Sequence, residues 1–256
     1  MPSALVDLTV EGHIATITLA APGALLDRAV SEALADAARA VADAPEVRAV
    51  VVRSAGADFG CGWTAVALAE PEGALGLPSL AAGIEALAAI PQPTIAAVAG
   101  QAHSAGLEVA LACDVRIAAQ DATFAMPDTA AGSVPRGGGT QRLPRAVGRA
   151  HALRLLLTGE AIDAAEARRI GLVSRVVPSG GTHLQDASRA LAETIASRGP
   201  IATRLAKEAV HRGAEMTLEQ ALRYETDLTV ILQSTADRAE GVRAFQEKRA
   251  PRFLGE

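Results

Sequence analysis

Aromatic side chains are scarce in this chain. One Trp, one Tyr and four Phe make up 2% of its 256 residues, whereas proteins that grip single-stranded nucleic acid stack bases on such rings. The formal net charge of −5 gives polyanions no overall attraction either. Cysteine is nearly absent. Cys61 and Cys113 both stand in apolar surroundings, which predicts two buried free thiols, no disulfide, and a reducing, cytoplasmic compartment. The five histidines fall at no metal-ligand spacing with either cysteine, so no metal is expected. No uncharged run is long enough to span a bilayer, and the opening MPSALVDLTVEG lacks the basic segment and apolar run of an export leader. What the chain has in quantity is small apolar side chains. With 50% hydrophobic and 21% charged residues, it can bury the core of one large domain, or of a domain with a small appendage.

Periodicity gives the class. LTVEGHIATITLA predicts two short strands around Glu11 and Gly12, an alanine-rich helix follows over about 29–42, and VRAVVVRSA (47–55) is a buried valine-rich strand. The alternation returns as a helix near 79–90, a strand at 94–100, a helix from about 105 and a strand at 115–120, which is an α/β pattern. Asp163 and Glu166 stand at capping-box spacing, and Gly171 stops that helix before a strand at 172–177. From about 183 to 250 the period is helical only, with Thr217 and Gln220 as another capping box. A boundary near 195 therefore separates an α/β core from a helical tail, with no low-complexity linker between them.

Three stretches carry chemistry. In AHSAGLEVALACD (102–114), Ser104 is the expected N-cap of a helix opening at Ala105, and Glu108 falls in its first turn. The helix dipole favours a glutamate there. The apolar neighbours on both sides nevertheless imply burial, which would raise the carboxyl pKa and suit it to acid–base work. A second carboxylate, Asp128, follows Pro127 in the loop after a short apolar strand, where turn chemistry alone also accounts for it. The glycine run 137–139 lacks a Gly-Lys-Ser/Thr ending and is expected to be a tight entry into a helix near Thr140. In SAGADFGCGWTAVAL (54–68), Cys61, Gly62 and Trp63 sit on a bend where a backbone amide can approach a ligand closely.

Taken together, PTIAAVAGQAHSAGLEVALACDVRIAAQDATFAMPD, GSVPRGGGTQRLPRAVG, LTGEAIDAAEARRIGLVSRVV and the tail TADRAEGVRAFQEKRAPRF resemble, in this order, the enoyl-CoA hydratase/isomerase (crotonase) family over almost the whole chain. The resemblance implies a spiral of ββα repeats over residues 1–194 that binds an acyl-CoA thioester, and a helical region, 195–256, that builds trimers or hexamers. It implies an oxyanion hole from the amides of Trp63 and Ala105, an acid–base pair of Glu108 and Asp128, and CoA contacts from Cys61, Thr64 and Ala65. Phe245 and Lys248 match positions that reach a neighbouring subunit's CoA. No separate cofactor is implied, because CoA is part of the substrate.

The chain departs from the family pattern at several places. Asp128 stands where hydratases usually have glutamate, Trp63 where small residues are common, Thr64 where aspartate is frequent, and Arg136 where the position is commonly small. LAAPGALLDRAV lacks the basic residue and asparagine that usually follow its proline. Water addition to a 2-enoyl-CoA is the leading expectation, with Δ3,Δ2-enoyl-CoA isomerisation as the alternative. Two remote readings remain. One is a serine hydrolase built on AHSAG with His151, His183 or His211. The other is an RNA-binding face of Arg136, Arg142, Arg145, Arg149 and Arg154, whose helical spacing also suits a solvated or intersubunit surface. His103, in an apolar turn, is either a structural donor or a group facing the acyl pocket.

Overall fold

The computed structural model describes residues 5–69 and 79–256. Strands β1 (Val6–Glu11) and β2 (Ile14–Leu19) form the hairpin expected around Gly12. After β3 (Leu25–Leu26) comes α1 (Arg28–Ala42), whose first turn is closed by Asp27 accepting from the Val30 N–H at 2.9 Å. Strands β4 (Ala49–Ser54) and β5 (Gly62–Trp63) lead to α2 (Ala65–Ala69) and α3 (Ala82–Ala88). The next two units share one pattern of long strand, short strand and helix. They are β6 (Thr94–Val98), β7 (Gln101–His103), α4 (Ala105–Ala112), and β8 (Val115–Ala119), β9 (Thr123–Ala125), α5 (Gly139–Val147). The chain continues through α6 (Arg149–Thr158), β10 (Ile162–Asp163), α7 (Ala164–Arg169) and β11 (Arg175–Val177), and ends in α8 (His183–Ala196), α9 (Pro200–Gly213), α10 (Leu218–Gln233) and α11 (Ala236–Glu247).

The long strands make one sheet in the order β1-β2-β4-β6-β8-β11, parallel except for the first pair. The short strands pair among themselves, β3 with β5, and β9 with β7 on one side and β10 on the other, and a Gly60–Ala102 bridge joins the two groups. Each unit thus adds one strand to the main sheet and one to an inner layer, which is the spiral of ββα repeats. A parallel sheet is covered on both faces, so its strands read as continuous apolar runs. Val50 and Val52 of β4 point into the main core with α1 and α4, while Ala49 and Val51 point the other way, toward Ala187 and Ala192 of α8. The boundary expected at 194/195 therefore falls in the last turn of a helix that belongs to the sheet.

Helix α9 is pinned to the core by Lys207, whose ammonium donates to the Ile90 and Gln92 carbonyls at 2.7 and 3.0 Å and pairs with Asp114 at 2.8 Å. Thr217 and Gln220 form the expected capping box on α10. Asp163 caps α7, but the Glu166 carboxylate bonds Arg154 and Arg169 instead of closing a box. The strand expected at 172–177 is confined to Arg175–Val177. Of the two thiols, Cys113 is buried and pushed up to about 12 by that burial. Cys61 corrects the expectation of two buried thiols: it is half-exposed on the bend before β5, and its thiol is raised by partial burial and by Asp58 beside it. No helix among the described residues is long and apolar enough to cross a membrane, and no group of three or more His, Cys, Asp or Glu among them is placed to hold a metal ion.

Candidate active site

The inner layer and the start of α4 are pressed together at two glycines. A methyl group on Gly106 would lie 2.1 Å from the Gly60 carbonyl oxygen, and one on Gly60 would lie 2.6 Å from the Gly106 Cα. Only glycine at both positions allows this approach. Backbone bonds lock it, with Gly60 N–H donating to Gln101 O at 2.9 Å and His103 N–H to Gly60 O at 2.8 Å. A methyl group on Gly62 would lie 3.4 Å from the Ser104 Cβ, so the bend before Trp63 stands next to the Ser104 side chain. The segment carrying Trp63 is thereby brought against the N-terminus of α4. Ala105, the first residue of that helix, has an amide with no intrahelical acceptor.

Every residue of α4 is buried, so its glutamate has no path to bulk water along the helix. One Glu108 oxygen, Oε1, accepts from the Gly137 and Gly139 amides at 2.7 and 2.8 Å. The other, Oε2, is buried with no partner among the described residues. Burial is the main cause that pushes this carboxyl up to about 7, with the charge of Asp128 adding to it and the two glycine amides and Arg142 opposing. Asp128 lies in the short 3-10 segment Pro127–Ala131 and is also buried. Its Oδ1 accepts from the Ser104 hydroxyl at 2.7 Å, and its Oδ2 has no partner among the described residues. Two buried carboxylates thus each keep one oxygen uncommitted, one at the tip of a first-turn glutamate of α4 and the other tied to the residue that opens the helix. Such a pair can take a proton from one atom and return one to another.

Two features escaped sequence reasoning. The glycine run does enter α5, but its amides also clamp Glu108; a methyl group on Gly137 would stand 2.9 Å from Glu108 Oε2. The only local signal was more glycine than a helix entry requires. Ser104 corrects a second expectation, because its side chain does not cap α4 and donates to Asp128 instead.

The other expected site residues are placed as follows. Trp63 is buried, and its indole N–H has no partner among the described residues. The Thr64 hydroxyl accepts from the Ala67 N–H at 3.1 Å, closing the start of α2, where Ala65 is exposed. His103 is half-buried, with Nε2 3.0 Å from the Thr123 hydroxyl; burial lowers its pKa and Asp58 opposes the shift. Arg136 donates to the Ala67 and Leu68 carbonyls. Phe245 is 84% exposed on α11, and Lys248 is that helix's exposed C-cap at φ 54°. Neither is packed on the buried carboxylates of its own chain.

The model of the family described as enoyl-CoA hydratase/isomerase matches residues 9–256. The chain belongs to this family. It is 43% identical over 244 residues to a Mycobacterium tuberculosis protein named "Probable enoyl-CoA hydratase echA8", with 94% of each chain covered. It is 39% identical over 255 residues to the (E)-benzylidenesuccinyl-CoA hydratase of Thauera aromatica, covering 98% of this chain and 99% of the relative. Among solved structures, an enoyl-CoA hydratase subunit I from Geobacillus kaustophilus superposes with a TM-score of 0.92 at 33% identity, over 100% of both chains. The crotonase-like fold expected from the resemblance is the one observed.

Proposed function

We propose that this family member adds water across the 2,3 double bond of an enoyl-CoA thioester, working in the cytoplasm without a separate cofactor. The observation that carries the reading is the pair of buried carboxylates, Glu108 and Asp128, each with one unpartnered oxygen. One carboxylate takes a proton from water as the oxygen bonds to the β-carbon. The π electrons move onto the thioester oxygen as an enolate, and the other carboxyl group delivers a proton to the α-carbon. One proton is taken and one is given. Trp63 and Ala105 supply the two amides for the developing oxyanion, and losing one such donor typically costs about 10²–10³ in rate. Cys61, Thr64 and Ala65 line the approach of CoA.

The remote alternatives find little support. Ser104 gives its proton to Asp128 rather than to a histidine. Arg136 is held by two carbonyls, Arg142 by the Gly137 carbonyl and Arg154 by Glu160 and Glu166, so these three of the five arginines are engaged by groups of their own chain. Turnover of a panel of thioesters with short, branched, cyclic and aromatic acyl groups tests the reading. 2-Enoyl-CoA should lose its conjugated absorbance through water addition. Turnover confined to 3-enoyl-CoA, seen as a gain of that absorbance, would replace hydration by isomerisation.

We also propose that the helices after α8 dock on other copies. Leu218, Val230, Ile231 and Phe245 leave apolar surface uncovered on α10 and α11, and assembly would bring Phe245 and Lys248 to a neighbour's CoA. The protein should sediment as a trimer or hexamer, and deleting residues 235–256 should release smaller species. A monomer at micromolar concentration would contradict this.

A further inference from the structure

Ser104 is one of three non-glycine residues at positive φ among the described residues. Its φ of 46° and ψ of −118° match the first central position of a type II′ turn, which glycine dominates. A serine held there carries backbone strain, and strain of this kind persists where the surroundings over-determine the conformation. Here they do. The Ser104 N–H donates to Ala125 O at 3.0 Å, its carbonyl accepts the Glu108 N–H at 3.0 Å, and the buried Asp128 carboxylate accepts from its hydroxyl at 2.7 Å. Serine is among the best helix caps, yet this hydroxyl ignores the helix and spans 24 residues of sequence to Asp128.

We propose that Ser104 is a positioning residue, whose hydroxyl fixes the Asp128 carboxylate so that Oδ2, the uncommitted oxygen, stays turned toward the substrate. The inference rests on the catalytic reading of Asp128 given above. The aspartate backbone is already set by Pro127 before it and by its carbonyl accepting the Ser133 N–H at 2.9 Å. What remains free is rotation of the carboxylate. The bond to Oδ1 removes that freedom, and general acid–base transfer depends on heavy atoms held at about 2.6–3.2 Å. Since Asp128 has no spare methylene to recover a lost alignment, the anchor matters more than it would for a longer acid. Ser104 also holds Glu108 through the backbone and immediately precedes Ala105. One strained residue therefore ties the two carboxyl groups and the helix-start amide into a single rigid unit.

Two variants separate the hydroxyl from the backbone. Ser104→Ala and Ser104→Gly both lose the anchor, but only glycine also relieves the strained φ. Both should lower kcat on the preferred 2-enoyl-CoA by about 10- to 100-fold, with KM nearly unchanged. Ser104→Gly should nevertheless unfold at a higher temperature than Ser104→Ala, by about 2–4 °C. In an Asp128→Asn background, Ser104→Ala should cost nothing further, because the two act as one unit. The inference is overturned if kcat follows thermal stability across the two variants, or if the losses multiply in the double variant. Should Asp128→Asn cripple the enzyme while both Ser104 variants keep kcat within about twofold, the catalytic reading stands and only the role of Ser104 fails. Should Asp128→Asn alone leave turnover intact, the reading of Asp128 fails and this inference falls with it.

Discussion

Glu108→Gln should lower turnover of 2-enoyl-CoA by about 10²–10⁴ while acyl-CoA still binds, and it should make the protein more stable above pH 7. Both effects come from the same burial. Glutamine keeps the shape and the oxygen that accepts from Gly137 and Gly139, but it can neither take nor give the proton. On the stability side, the Glu108 carboxyl is pushed up to about 7 from its ordinary 4.5. The folded chain therefore binds more protons than the unfolded chain between those values, and stability falls as pH rises through that window. The loss is about 3 kcal/mol and is complete once Glu108 is ionised in both states. Glutamine has no such titration. Thermal unfolding followed from pH 5 to pH 8 should show the variant gaining on the wild type as pH rises, and the wild-type kcat/KM should show a limb near pH 7. Near-normal turnover in Glu108→Gln would reduce the residue to a helix-start carboxylate.

Most of the repeating architecture was readable because its signals are local. The β1–β2 hairpin, α1, β4, β6, α4 and β8 each carry their own period or turn residue, and the Thr217–Gln220 box needs only four consecutive residues. The burial of Glu108 was readable for the same reason, since apolar sequence flanks it on both sides. What escaped reading depends on partners far along the chain. Nothing near 137–139 says that these amides face a carboxylate 29 and 31 residues earlier, and a glycine run entering a helix is sufficient as a local account. Ser104 has the best local credentials for a cap, and they lose to a buried acceptor 24 residues away. Cys61 has apolar neighbours in sequence, but they turn inward while the bend leaves the thiol half-exposed. The place of α8 on the second face of the sheet was hidden likewise, because its amphipathic period shows a covered face without saying what covers it.

Asp128→Asn should abolish hydration almost as completely as Glu108→Gln, by about 10²–10⁴, because water addition needs one group to take a proton and another to deliver one. Asparagine can still accept from the Ser104 hydroxyl, so the turn and the fold should persist, and acyl-CoA affinity should change little. The same variant distinguishes the two reactions that this fold can host. An isomerase working through Glu108 alone moves one proton between carbons, so it would lose little from Asp128→Asn and would incorporate no solvent oxygen. Turnover in ¹⁸O-labelled water, read by mass spectrometry of the product, measures this directly: a hydratase places the label on the β-carbon, and the Asp128→Asn protein should place almost none. Asp128→Glu provides the opposing test. The added methylene lengthens the acid, and if reach limits the present enzyme, water addition should rise. If the pocket is instead built around the shorter acid held by Ser104, the longer side chain must leave that hydroxyl or crowd the buried turn, and the rate should fall. Full hydratase activity in Asp128→Asn would remove Asp128 from the chemistry and leave Glu108 to act alone.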